Sequence, residues 1–196
     1  MLQMFTYNEV AVLVRHWFEV SLEDSHLEHG VRVELRLLDR QPHRGSESAS
    51  QKVLLDQPVW RADLFDRLDG VPGDFSAAHF HPRFDGVEPS ERRWDSQLQA
   101  NPWSWLAQQL CDVTGIVTAA GVELDDPLAE SRRVCADAGE IVAAAQRRAA
   151  AECGSKEQCY DWTSDVTRAV HLMLGSLQRS DLLDRDRVSP WLHSAM

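Results

Sequence analysis

Residues 31–38 constrain the fold more than any other stretch. Val31, Val33, Leu35 and Leu37 alternate with Arg32, Glu34 and Arg36. A period of two puts the apolar set on one side of an extended chain and the charged set on the other. A strand of this kind must pair within a sheet, and its apolar face must be covered by a second layer. The charged side is expected to face water.

The neighbouring segments supply the sheet. In residues 9–22, Val10, Leu13, Val14, Trp17 and Phe18 also fit helical spacing, but the β-branched and aromatic content favours a long strand, which forms a hairpin with 31–38. A polar connector is expected at 23–30 and a mobile loop at 40–50. A short strand at 52–55, a turn at Asp56-Gln57-Pro58 and a further strand at 59–65 follow. Residues 68–74 read as a loop, and 77–84 as a last strand ending near Pro82. Residues 85–101 are polar and irregular.

The second half is helical. Asn101-Pro102 and Asp126-Pro127 are paired cap-and-start signals, and Ser155 to Gln158 has the pattern of a capping box. Helices are expected over 102–120, 127–153 and 156–178. The first should bury Trp103, Leu106, Leu110, Val113 and Val117. The second should bury Leu128, Cys135, Ala138, Val142, Ala145 and Ala149. The fold class expected is therefore α+β in one domain spanning 1–196. An antiparallel sheet comes from 5–84, a connector from 85–101 and a helical half from 102–196. The helices should pack on the face of Val31, Val33, Leu35 and Leu37.

Composition narrows the function classes. The net charge of −11 argues against sequence-independent nucleic-acid binding, which needs a basic surface. No apolar run is long enough for a membrane helix, and the first residues lack a signal-peptide pattern. A cytoplasmic protein is the expectation. Its four cysteines (Cys111, Cys135, Cys153 and Cys159) are expected as reduced thiols, buried or at helix ends.

The candidate chemistry lies in residues 59–85, which hold Arg61, Asp63, Asp66, Asp69, Asp74, His79, His81, Arg83 and Asp85. On a strand, His79 and His81 project to the same side. If 59–65 and 77–81 are antiparallel neighbours, that side also carries Arg61 and Asp63. Two imidazoles and a carboxylate suit a divalent metal, with His79, His81 and Asp85 as candidate ligands and Asp63 and Asp74 also within the stretch. The competing reading is a polar sheet face in which the histidines only hydrogen-bond. No cofactor other than such a divalent metal is expected. A metal-free alternative uses His79 or His81 as general acid/base beside Asp63 or Asp66, with Arg61 or Arg83 holding an anion. No serine or cysteine nucleophile motif and no phosphate loop is present.

Two resemblances touch this stretch. Gly73, His79, His81 and Asp85 resemble the first half of the first cupin motif. The closing glycine and the second motif are missing, so a cupin barrel is not expected. The core Trp60-Arg61-x-Asp63-Leu64 followed by His79-x-His81-Pro82-Arg83-Phe84 resembles an uncharacterised actinobacterial family, which implies no activity. The layout Trp60-Arg61-x-Asp63 and then His79-x-His81-Pro82 also resembles some uncharacterised toxin-like families, without their denser histidine run.

The leading expectation is a binding or regulatory protein of immunity or antitoxin type. Its acidic surface would meet a protein partner or a second copy of itself, with no nucleic acid and no membrane. The alternative is a small enzyme, metal-dependent or histidine-based and hydrolase- or RNase-like, with Arg61, Asp63, His79 and His81 as its catalytic candidates.

Overall fold

The computed structural model describes residues 2–20, 27–42 and 53–149. The described residues all lie within one compact unit, Met1–Cys153. The expected helix at 156–178, together with Cys153 and Cys159, lies outside the described residues.

The fold is α+β. Strands β1 (Leu2–Thr6), β2 (Val10–Val20), β3 (Leu27–Arg40), β4 (Val53–Arg67) and β5 (His79–His81) form an antiparallel meander in chain order. A small two-stranded sheet, β6 (Phe84–Asp85) with β7 (Glu88–Pro89), follows. Then come helices α1 (Ser96–Ala100), α2 (Pro102–Cys111), α3 (Val113–Ala120) and α4 (Pro127–Ala149). The open sheet is not a barrel, in keeping with the absent second cupin motif.

The core forms where the alternation places it. Val10, Val12, Val14, Val31, Val33, Leu35, Trp60, Ala62 and Leu64 are buried against Leu106, Leu110, Ile116, Val117, Val134 and Ile141. Trp105 stacks on Trp60 with centroids 6.0 Å apart, and its indole N–H donates to Asp95. Asp95 also caps α1 by accepting from the Gln97 amide.

Several local expectations change. The expected strand at 59–65 and residues 53–55 of the short strand before it belong to one strand, β4. The Asp56-Gln57-Pro58 stretch lies at a register irregularity opposite Leu35–Leu38, where Pro58 pairs with Arg36. Proline cannot donate to a ladder, and the irregularity absorbs it without breaking the strand. β3 begins at Leu27, so much of the expected connector at 23–30 is strand. Gly30, with φ of 154°, is needed there: an added Cβ would lie 2.2 Å from the Leu64 carbonyl oxygen.

The helix expected over 102–120 breaks at Asp112. The Asp112 carboxylate accepts from the Gly115 amide at 2.9 Å and caps α3 as α2 ends. Gly115 permits this, because an added Cβ would meet that carboxylate at 2.3 Å. Gly121, left-handed at φ 71°, ends α3 as expected.

The α4 stripe is rotated from the expected one. Glu130, Ser131, Val134, Ala138, Ile141, Ala144 and Ala145 are buried, while Leu128 and Cys135 are exposed. Glu130 sets this phase by accepting from the amides of Glu9 and Val10 at the start of β2, at 3.0 and 3.3 Å. Glu9 returns the contact by accepting from the amides of Asp125 and Asp126. The expectation of reduced thiols at Cys111 and Cys135 is also corrected: they form a disulfide joining α2 to α4. No helix among the described residues is long and apolar enough to cross a membrane.

Candidate metal centre

The helices cover one face of the sheet, and the candidate site lies on the other. Sheet register lines up two rungs there. Arg15, Arg32, Asp63 and His79 are successive partners across β2, β3, β4 and β5. Leu13, Glu34, Arg61 and His81 form the next rung. The antiparallel pairing of 59–65 with 77–81 that brings Asp63 to His79 is thus present as expected.

The expectation of a wet charged face is corrected. Arg32, Glu34, Asp63, His79 and His81 are all buried. Buried charges persist only when paired and hydrogen-bonded, and these are. Arg32 grips Asp63 with Nε 2.6 Å from Oδ1 and Nη2 3.0 Å from Oδ2, and it also pairs with Glu19. Glu34 receives Arg61 at 2.8 Å, Arg15 at 3.4 Å and Arg36 at 3.5 Å. Trp17 lies beneath the guanidinium groups of Arg15 and Arg32 at 4.4 and 5.0 Å.

These contacts set the charge states. Burial alone would raise the pKa of Asp63, but the two-point grip of the Arg32 guanidinium holds it well below the ordinary carboxylate range. Burial likewise works against Glu34, and its arginine partners overcome it, so that pKa is lowered as well. Burial lowers the pKa of His81, against the opposing pull of the Ser90 carbonyl and Asp63.

The histidine rings are oriented by backbone oxygens. His79 Nδ1–H donates to the Ala77 carbonyl at 2.8 Å, and His81 Nδ1–H donates to the Ser90 carbonyl. A carbonyl oxygen only accepts, so each Nδ1 carries the hydrogen and each neutral ring presents Nε2 as a lone pair. Both Nε2 atoms face Asp63 Oδ2, at 3.4 Å from His79 and 3.8 Å from His81. His79 Nε2 is buried without a hydrogen-bond partner. The three groups can present ligand atoms all within 4.8 Å of one another.

The loop before β5 sets this up. Asp66 accepts from the Gly73 amide at 2.8 Å and the Phe75 amide at 2.6 Å. Phe75 is thereby held at a left-handed φ of 50°. The Ala77 amide then donates to the Phe65 carbonyl, which places the Ala77 oxygen beneath His79.

The other candidates stand apart. Arg61 serves Glu34, under the Phe84 ring, and is not an Asp63 partner among its described contacts. Asp85 is exposed on β6 and is not part of the ligand group. Asp66 and Asp74 bond loop amides, and Asp69 pairs with Arg67. Arg83 is exposed. The charge partners Glu19, Arg32 and Glu34 were missed, although their signs complement those of Asp63 and Arg61 across the sheet. Trp94, whose ring lies 5.4 Å from that of His79, has no local pattern pointing to it.

No family model, curated protein or solved structure matches the chain.

Proposed function

We propose that this protein binds a first-row divalent transition ion through Asp63 Oδ2, His79 Nε2 and His81 Nε2. The observation that supports this reading is the orientation of the rings. Three acceptor atoms converge in a buried space, and both histidines spend their Nδ1–H on backbone carbonyls. Metal-ligating histidines are held in this way, with the second nitrogen donating to a carbonyl or carboxylate. Lone pairs turned toward one another are stable only with a cation between them, either a proton or a metal. Arg32 orients Asp63 as the ligating carboxylate, and Oδ2, which accepts from Arg32 Nη2 at 3.0 Å, keeps a further lone pair for the ion. Two imidazoles and one carboxylate suit zinc or iron(II) better than magnesium or calcium, which prefer oxygen ligands.

Such a ligand set leaves coordination positions open, and a metal-bound water is the nucleophile of metal-dependent hydrolysis. Hydrolysis is therefore the reaction class attached to this centre. The test is metal content after loading with zinc, cobalt(II) or iron(II) and gel filtration. One ion per chain is expected in the wild type. His81→Ala and His79→Ala should lose it while circular dichroism stays unchanged. A wild type that leaves the column metal-free, or folded variants that keep the ion, would overturn the reading.

A second reading is a binding protein whose acidic surface meets a basic partner, supported by the net charge of −11. It predicts association with basic proteins that weakens as salt rises, and salt-independent association would refute it. Cytoplasmic residence belongs with this reading. The Cys111–Cys135 bond argues against it, because such bonds persist in oxidising compartments.

A further inference from the structure

Asp63 and His79 are 0% exposed and His81 is 6% exposed. An ion held by these three groups has no open route in or out. The groove of about 550 Å³ along residues 82–93 includes Pro82, Arg83, Phe84, Ser90 and Arg93 in its lining, but none of the three ligand residues. Access therefore requires a covering element to move.

We infer that residues 90–94 are a strap over the metal centre and that Arg92 is its latch. The inference rests on the metal reading above and concerns how the centre is opened. Each residue on which it depends is tied to the sheet. The Ser90 carbonyl receives His81 Nδ1–H. Arg93 and Phe80 exchange backbone hydrogen bonds at 2.8 and 2.9 Å, a bridge that extends the sheet beyond β5. The Trp94 ring lies against His79 while the residue is 54% exposed, so it covers the histidine from the solvent side. Arg92 reaches back over the sheet, with Nη1 2.9 Å from Glu28 on β3 and Nη2 2.8 Å from Glu19 on β2.

These ties differ in strength. The Arg92 ion pairs are partly exposed, and exposed ion pairs contribute little and are screened by salt. The rest of the strap is held by only a few backbone hydrogen bonds, and segments with few buried contacts open locally at low cost. Opening also changes the centre itself. When Ser90 leaves, His81 loses the bond that fixes its ring, and when Trp94 leaves, His79 meets water. The latch is joined to the centre by a chain of ion pairs, Arg92–Glu19–Arg32–Asp63. Release of Arg92 leaves Glu19 to Arg32 alone.

The test compares Arg92→Gln with wild type, and Arg83→Gln serves as a control in the same loop. The zinc-loaded proteins are mixed with excess EDTA at low salt, and zinc release is followed with a chromogenic chelator. Arg92→Gln is expected to release zinc about fivefold to tenfold faster, the effect of losing two partly exposed ion pairs. It should still hold one ion per chain at equilibrium. Wild type should approach the variant's rate as salt rises, and Arg83→Gln should match wild type. Equal release rates in wild type and Arg92→Gln, both zinc-loaded, would overturn the strap and leave the metal reading standing. If wild type takes up no ion, the metal reading fails and the strap is judged on the metal-free protein. There, diethyl pyrocarbonate should modify His79 and His81 faster in Arg92→Gln, and an unchanged rate overturns it.

Discussion

Arg32 holds Asp63 in a two-point grip from the neighbouring strand, at 2.6 and 3.0 Å, with both side chains almost completely buried. The pair is the electrostatic centre of a sheet face that carries charge under cover.

Removing one partner of such a pair leaves the other charge buried and alone. Arg32→Ala is expected to destabilise the protein by about 3–5 kcal/mol in urea unfolding. Replacing both, as Arg32→Met with Asp63→Leu, should cost much less than the sum of the single changes. Additive losses would show that the two residues act independently.

Acid should weaken the fold in two stages. Burial lowers the pKa of His16 to about 4 and also lowers that of His29. A histidine held neutral in the fold contributes its full stability above the ordinary value near 6.5. That contribution falls as the unfolded chain protonates, and for His16 the loss is complete near pH 4. Glu34 and Glu19 have lowered pKa values despite burial, through their arginine partners. Their contribution is present above the ordinary glutamate range and is lost as pH falls through their lowered values. Urea midpoints measured from pH 8 to pH 2 should fall in both windows. A flat profile between pH 6.5 and 4.5 would refute the histidine stage.

The Cys111–Cys135 bond closes a sequence separation of 24 between α2 and α4. A loop of this size restricts the unfolded chain by roughly 3 kcal/mol. Reduction, or Cys111→Ser with Cys135→Ser, should lower the unfolding free energy by about that amount while far-ultraviolet circular dichroism is retained. An unchanged midpoint after complete reduction would show that the bond does not restrain the unfolded state.

Gly30→Ala tests the closeness of β3 and β4 beside the site. The new methyl group would lie 2.2 Å from the Leu64 carbonyl oxygen, so backbone must move. A loss of about 2–4 kcal/mol is expected, at the upper end for single substitutions. Stability within 0.5 kcal/mol of wild type would show that the strands separate easily there.

Much of the fold was legible because alternation and capping are local. His79-Phe80-His81 and Arg61-Ala62-Asp63 placed their polar groups on matching sides of neighbouring strands, and the register agrees. Alternation tells which side a residue faces, but not whether that side is wet. Burial of Arg32 and Glu34 depends on residues far apart in the chain, including the segment around Trp94. The phase of α4 was misread because Glu130 and Ser131 belong to the buried stripe, where an apolar count passes over them. The pairing of Cys111 with Cys135 follows from how α2 packs on α4, and cysteine spacing alone does not specify it.

The meander also fixes an order of assembly. Strands β1 to β5 pair in the sequence in which they are synthesised, each with its predecessor. Arg32, Asp63, His79 and His81 are all present once residue 81 has emerged, before any residue of α1 to α4. Short-range pairings of this kind form faster than those that close long loops. The residues of the ligand set are therefore side by side in one sheet before residues 90–94 have emerged, so the strap is added to the centre after its ligands.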